Sequence, residues 1–142
     1  MKAYAVEDHL PDIRPFFYED GDTGYWLRND WGIRLDRAIW TIRAGFDFDG
    51  ASIPKPLWSI IGHPVEPSII GAALLHDILY CVHVTPKDYA DTAFLEIMQI
   101  YGRGAINRGL CWSAVASVGN LMWPKKQPEI DKYLPFISRE LV

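Results

Sequence analysis

His76 and Asp77 stand side by side in an otherwise apolar run from Pro67 to Val84, and Tyr80 follows one helical turn later. Around them the chain reads Ile69, Ile70, Ala72, Ala73, Leu74 and Leu75, then Ile78, Leu79 and Val82. An imidazole and a carboxylate in such surroundings lose most of their water, which is costly unless each is paired. The partner is expected on the next segment. There Asp91 has Phe94, Leu95 and Met98 at plus three, four and seven, so its carboxylate lies on an apolar face. Tyr89, Thr92, Glu96, Gln99 and Arg103 take the solvent face. His76 and Tyr80, at i and i+4, share a side that Asp91 can reach. Four polar groups, His76, Asp77, Tyr80 and Asp91, are more than a core needs, and buried titratable clusters are enriched at functional sites. They point to a catalytic or metal-binding site, with a purely structural polar network as the alternative.

A second set of candidates lies between Ala44 and Pro54. Gly45 and Gly50 allow backbone carbonyls to turn toward a shared cation and Asp49 adds charge, the oxygen-rich setting that a hard divalent ion such as calcium prefers. The plain reading of the same residues is turn chemistry, with Ser52 capping the next short helix. Asp49 becomes interesting together with Asp77, and the two are the expected metal ligands. Other chemistries match less well. Ser52 as a nucleophile has no nucleophile-elbow pattern around it, and His63, His76 and His83 make no zinc-ligand spacing. Cys81 and Cys111 fall in apolar helical segments and read as buried, reduced thiols. His9 reads as an ordinary surface residue.

The elements that must hold these residues can be read from periodicity. Thr85, Pro86 and Asp88 look like N-cap, first helical residue and capping-box-like acid of a helix that runs to Tyr101 and stops at Gly102. The buried helix before it spans about Glu66 to Val82, and so short a connection pairs the two antiparallel. A short helical piece at Leu57 to Ile61 and a last helix from Ala105 to Trp123, closed by Pro124, complete a helical body. Residues 1–48 carry β-rich runs at Tyr25-Trp26-Leu27, Trp31 to Leu35 and Ala38 to Ile42, separated by the turn-like pairs Asn29-Asp30 and Asp36-Arg37. Ile33 and Leu35 alternate with Arg34, and Trp40 and Ile42 alternate with Thr41 and Arg43, as in half-buried strands. The expected fold is α+β: a small N-terminal antiparallel meander in 1–48, then a helical body in 49–123 whose antiparallel helix pair carries the His-Asp site. A tail in 124–142 packs back on that body.

Length and composition bound the class. At 142 residues, 49% of them hydrophobic, the chain reads as one folded domain over 1–142 and not as a disordered one. A formal net charge of −4 with no basic cluster argues against nucleic acid as a partner. No signal peptide is expected at the N-terminus, and the longest apolar stretch falls short of the about 20 residues that a bilayer span needs. Six tryptophans, at 26, 31, 40, 58, 112 and 123, default to core packing. Any exposed subset, Trp26 and Trp31 above all, suggests a docking surface for a protein, glycan or lipid.

Two resemblances follow from these residues. Across 45–123 the chain resembles an uncharacterised family of tailed bacteriophages and prophages through Asp49-Gly50-Ala51-Ser52-Ile53-Pro54, Leu57-Trp58, Ala72-Ala73, His76-Asp77, Leu79-Tyr80, Ala90-Asp91, Phe94 and Met98. That resemblance implies a phage origin, with the host cytoplasm or the virion as location and another phage or host protein as a possible partner. His76-Asp77, Tyr80, Ala90-Asp91, Phe94 and Met98 are also similar to the paired catalytic helices of calcium-dependent phospholipases of the A-two class. This second resemblance implies that His76 activates a water, that Asp77 binds calcium, that Tyr80 and Asp91 hold the imidazole, and that the substrate is a lipid or other ester. The glycine-rich calcium loop of those enzymes is not matched residue for residue by Ala44 to Ser52, and their dense disulfides are absent here. The two readings kept from the sequence are a metal-assisted hydrolase and a non-enzymatic virion or host-interaction protein whose polar cluster is structural.

Overall fold

The computed structural model describes residues 1–49, 55–123 and 130–142. The chain is α+β, with antiparallel strands followed by helices. Strands β1 (Ala3–Ala5), β4 (Trp31–Leu35), β5 (Ala38–Ile42) and β7 (Ile137–Leu141) form one antiparallel sheet in the order β1-β4-β5-β7. Strands β2 (Ile13–Phe17), β3 (Thr23–Leu27) and β6 (Asp47–Phe48) form a second. The expected single meander is therefore two sheets. Asp36-Arg37 makes the anticipated tight hairpin, with Leu35 opposite Ala38 and Asp36 at φ 53°. Asn29-Asp30 is instead a crossing between sheets. There the Asp30 carboxylate accepts from the Ala44 amide at 2.8 Å and from Arg43 at 3.0 Å, which ties the crossing to the end of β5.

The alternation read for β5 is seen in its burial, with Ala38, Trp40 and Ile42 inward. β2 carries Pro15 and forms the edge of its sheet, the position where a missing amide donor costs least. The tail is expected on the helical body, and its short helix (Ile130–Tyr133) does pack there, but its last strand, β7, joins the N-terminal sheet instead, with Ile137 opposite Ile42 and Arg139 opposite Trp40.

After a 3-10 turn (Lys55–Leu57) come helices α1 (Trp58–Ile61), α2 (Ile70–Val82), α3 (Lys87–Ile100), α4 (Ala105–Met122) and α5 (Ile130–Tyr133). α2 starts four residues later than expected, because Glu66 to Ile69 form turns whose amides reach back to His63 and Glu66. Every residue of α2 except Asp77 is buried, so this is the central helix of the core, apolar on all sides. α3 packs on α2 and α4 packs on α3.

The cap expected at Thr85 does not form. Pro86 takes the N-cap position without a side-chain bond, Lys87 is the first helical residue, and Thr85 Oγ1 donates to the Pro86 carbonyl at 3.3 Å. Asp88 still lies in the first turn, where the helix dipole favours an anion. At the other end Gly102 adopts φ 86°, and the Arg103 amide bonds to Met98, closing α3 as anticipated. Of the expected solvent face only Gln99 is exposed; Tyr89, Thr92, Glu96 and Arg103 are partly buried, and two of them have identifiable partners. Tyr89 Oη accepts from Trp40 Nε1 at 3.0 Å, and Arg103 pairs with Glu66.

Candidate functional site

The site is built on facing sides of α2 and α3. His76 and Tyr80 stand one turn apart on α2, and Asp91 faces them from α3. Asp91 Oδ1 lies 2.8 Å from His76 Nε2 and accepts the Tyr80 hydroxyl at 2.6 Å. Its second oxygen, Oδ2, accepts from Lys87 Nζ at 2.6 Å, and Lys87 also donates to the Ala116 carbonyl of α4 at 3.2 Å. The imidazole packs against the Tyr80 ring at 4.1 Å and meets Phe94 edge-on at 5.3 Å. α4 can approach this closely because position 119 is glycine: a Cβ there would collide with the Tyr80 hydroxyl and lie 2.9 Å from Lys87 Cε.

The protonation states follow from this geometry. Burial lowers the His76 pKa below the usual histidine value, and the Asp91 hydrogen bond opposes that only in part. Burial pushes Asp91 up, but the bonds from His76, Lys87 and Tyr80 outweigh it and hold the carboxyl below its ordinary value. Tyr80 is raised by burial and by donating to Asp91, so its proton is retained. A neutral imidazole facing an ionised carboxylate must donate to it through Nε2, which places the basic lone pair on Nδ1.

His76 and Tyr80 open onto a cleft of about 650 Å³. Phe46, Phe48 and Tyr133 contribute aromatic wall, Val115 and Met122 of α4 aliphatic wall, and Asp47, Asp49 and Asp77 carboxylates, joined by Glu19, Asp20 and Asp22 of the β2–β3 turn. Asp47 Oδ2 accepts from Tyr18 at 3.1 Å and from Tyr133 at 3.5 Å, joining β6, the end of β2 and α5 at the rim. Burial raises both phenols above their ordinary value.

The structure thus brings His76, Tyr80 and Asp91 into one hydrogen-bonded cluster and sets Asp77 and Asp49 on the cleft that serves it. As oxygen donors these two acids suit a hard cation. Among the described residues, however, no group of three or more His, Cys, Asp and Glu side chains assembles to hold an ion. Gly50 and Ser52 lie outside the described residues, as do the other positions through Pro54. His63 and His83 sit apart from His76, against Trp58 at 4.2 Å and Trp123 at 3.7 Å respectively. Cys81 and Cys111 are buried and form no disulfide among the described residues.

Of the two tryptophans expected on the hairpin, Trp31 is fully buried and donates to the His9 carbonyl at 3.1 Å. Trp26 is exposed and stacks on Phe16 at 4.6 Å. Sequence reasoning missed Lys87. Its spacing of i to i+4 from Asp91 was the available signal, masked by the position of a lysine in a first helical turn, where a solvated side chain is the ordinary outcome.

Residues 26–115 match the model of a family described as "Protein of unknown function (DUF1353)". The chain belongs to this family. The DUF1353 match runs from β3 into α4 and includes Asp49, His76, Asp77, Tyr80, Lys87 and Asp91. The chain is similar to "Uncharacterized protein y4jT" of Sinorhizobium fredii (strain NBRC 101917 / NGR234), with 47% identity over 66 residues, 46% of this chain. The matched part amounts to 18% of that relative's length. No solved structure gives a significant match. No helix among the described residues is long and apolar enough to cross a membrane.

Proposed function

We propose that this DUF1353 protein is a phage-encoded hydrolase of an ester or lipid-like substrate, with His76 as general base. The observation that carries the reading is the short His76–Asp91 contact at the edge of a cleft large enough for a small substrate. A neutral imidazole held in one tautomer by a buried carboxylate is the arrangement that proton abstraction near neutral pH requires. In the proposed step His76 Nδ1 takes a proton from water as the water oxygen bonds to the ester carbonyl carbon. The carbon–oxygen bond to the leaving group then breaks, and the imidazolium returns its proton to the departing alkoxide. Asp91 and Tyr80 keep the ring oriented throughout.

Asp77 and Asp49 would hold a divalent cation, calcium by the oxygen character of the donors, which would polarise the ester carbonyl and stabilise the oxyanion when bound. The phage resemblance gives the proposed setting, the host cytoplasm or the virion. The rival reading is a binding protein that uses the cluster for folding. It is favoured by the set of side chains around Asp91 and by Trp26, which is exposed on the β2–β3 hairpin beside Phe16.

The test is hydrolysis of phospholipid vesicles and short-chain esters by the full chain, with calcium or with chelator. The hydrolase reading expects turnover that calcium raises and that Asp77→Asn and Asp49→Asn make insensitive to calcium. No turnover on any of these substrates leaves the binding reading standing.

A further inference from the structure

The cleft in front of His76 has a charge and a wall that together select a ligand. Six carboxylates line it, those of Asp47, Asp49 and Asp77 with Glu19, Asp20 and Asp22, against one ammonium, Lys132. Among the described residues that line it, this is a formal excess of five negative charges, and a divalent ion on Asp49 and Asp77 would still leave three. Lys55 reaches Asp22 at 3.3 Å, but the two side chains are 64% and 62% exposed and water screens the pair. A cleft lined by one sign of charge with low-dielectric walls focuses its field, so this one draws cations and repels anions.

The wall decides which kind of cation. Phe46 and Phe48 lie parallel with their centres 6.1 Å apart, and Tyr133 meets Phe46 edge-on at 5.3 Å. A hard metal ion takes oxygen ligands and gains nothing from these rings. An alkylated ammonium is attracted both to carboxylates and to aromatic faces. The chain already seats one ammonium in this way: Lys132 Nζ lies 4.8 Å from the centre of the Tyr133 ring. Asp47 adds a carboxylate at the same wall, fixed by the Tyr18 and Tyr133 hydroxyls.

We propose that the substrate of this cleft is an ester bearing an alkylated ammonium group, such as trimethylammonium, with no phosphate beside it. The aromatic wall and the acids of the β2–β3 turn hold the cationic group and leave the ester to the His76 end. A phosphate next to the ammonium would face the same excess of carboxylates and is rejected by charge. The proposal deepens the hydrolase reading by naming its substrate class and rests on it for the reaction, whereas recognition of the cation stands on the cleft alone.

The test is a binding titration of the full chain with chelator present, followed by NMR of its aromatic side chains, using choline, its uncharged isostere 3,3-dimethylbutan-1-ol, and phosphocholine. Choline is expected to give saturable shifts in the Phe48 and Tyr133 rings and to bind at least about tenfold more tightly than the isostere. Phosphocholine should bind more weakly than choline. Phe48→Leu should weaken choline by about 2- to 30-fold, the range of a cation–π contact. Because Phe48 is buried, the exposed double variant Asp20→Asn with Asp22→Asn serves as the second test, and its choline affinity should fall as well. No saturable shift, an isostere that binds as tightly as choline, phosphocholine binding more tightly than choline, or unchanged affinity in the folded double variant would each overturn the proposal. None of these readings needs turnover, so absence of hydrolysis counts against the hydrolase reading separately. Where hydrolysis is found, choline esters should exceed the matching 3,3-dimethylbutyl esters in kcat/KM, and equal values would likewise overturn it.

Discussion

Asp91 accepts three hydrogen bonds from three side chains while almost fully buried, and this makes it the residue on which the cluster depends. Tyr80→Phe deletes one donor and leaves no polar group stranded on its own side. It is expected to cost about 1.5–3 kcal/mol, the range for a hydrogen bond to a charged acceptor. Asp91→Ala strands the Lys87 ammonium and two other donors, and is expected to cost about 3–5 kcal/mol. Denaturant titration should return that order, and equal costs would contradict it. The pH dependence has a definite sign. Because His76 has a depressed pKa in the fold, its contribution is complete above about pH 6.5, the free histidine value, and is lost as pH falls below it. The slope from this proton is at most about 1.4 kcal/mol per pH unit. In His76→Gln this loss between pH 6.5 and pH 5 should disappear, which melts across that interval would check. The trio His76, Tyr80 and Asp91 was legible in the sequence, because a polar group at helical spacing on an apolar face has few places to go. Lys87 was not, because a lysine with a long stem reads as solvated until the neighbouring helix is in place.

At the scale of elements, helix α4 can close on the cluster because Gly119 leaves room for the Tyr80 hydroxyl and the Lys87 stem. Gly119→Ala would gain up to about 1 kcal/mol of helix propensity. It would also press a methyl group into a tyrosine hydroxyl that Asp91 holds in place, and overpacking of this kind costs about 1–3 kcal/mol. The clash should win. Gly109 on the same helix has open space around it, so Gly109→Ala should stabilise instead. Thermal melts of the two variants should move in opposite directions, and a shared direction would show that α4 packs differently. α2, α3 and α4 were legible because their apolar residues repeat at helical spacing, with boundaries off by as much as four residues at α2. The partition of the strands was not legible. Asn29-Asp30 reads as a hairpin turn, and only the distant Arg43 and Ala44, bound by Asp30, reveal it as a passage between sheets. β7 escaped notice because most of its residues are exposed, as on an edge strand, and alternation then carries no signal.

At the scale of the whole molecule, the cleft is assembled from the β2–β3 turn, β6, α2, α4 and α5, which are far apart in sequence and meet only after the chain has folded. Two of its carboxylates, Asp49 and Asp77, could be named from the sequence, but the acids of the β2–β3 turn that join them, and its shape and depth, could not. If Asp49 and Asp77 share a cation, melts with excess calcium, magnesium or manganese should exceed a chelator control through ligand linkage. Identical melting in all of them would remove the cation from the account. The central claim, that His76 acts as a base and does more than satisfy the core, is tested most directly by one paired measurement on His76→Gln: the rate of ester and phospholipid hydrolysis, read against the stability of the same sample. A general base requires a loss of about two to four orders of magnitude in rate while the variant stays folded, with a stability cost of about 1–3 kcal/mol. A folded His76→Gln protein that hydrolyses the same substrates at the wild-type rate would contradict the account.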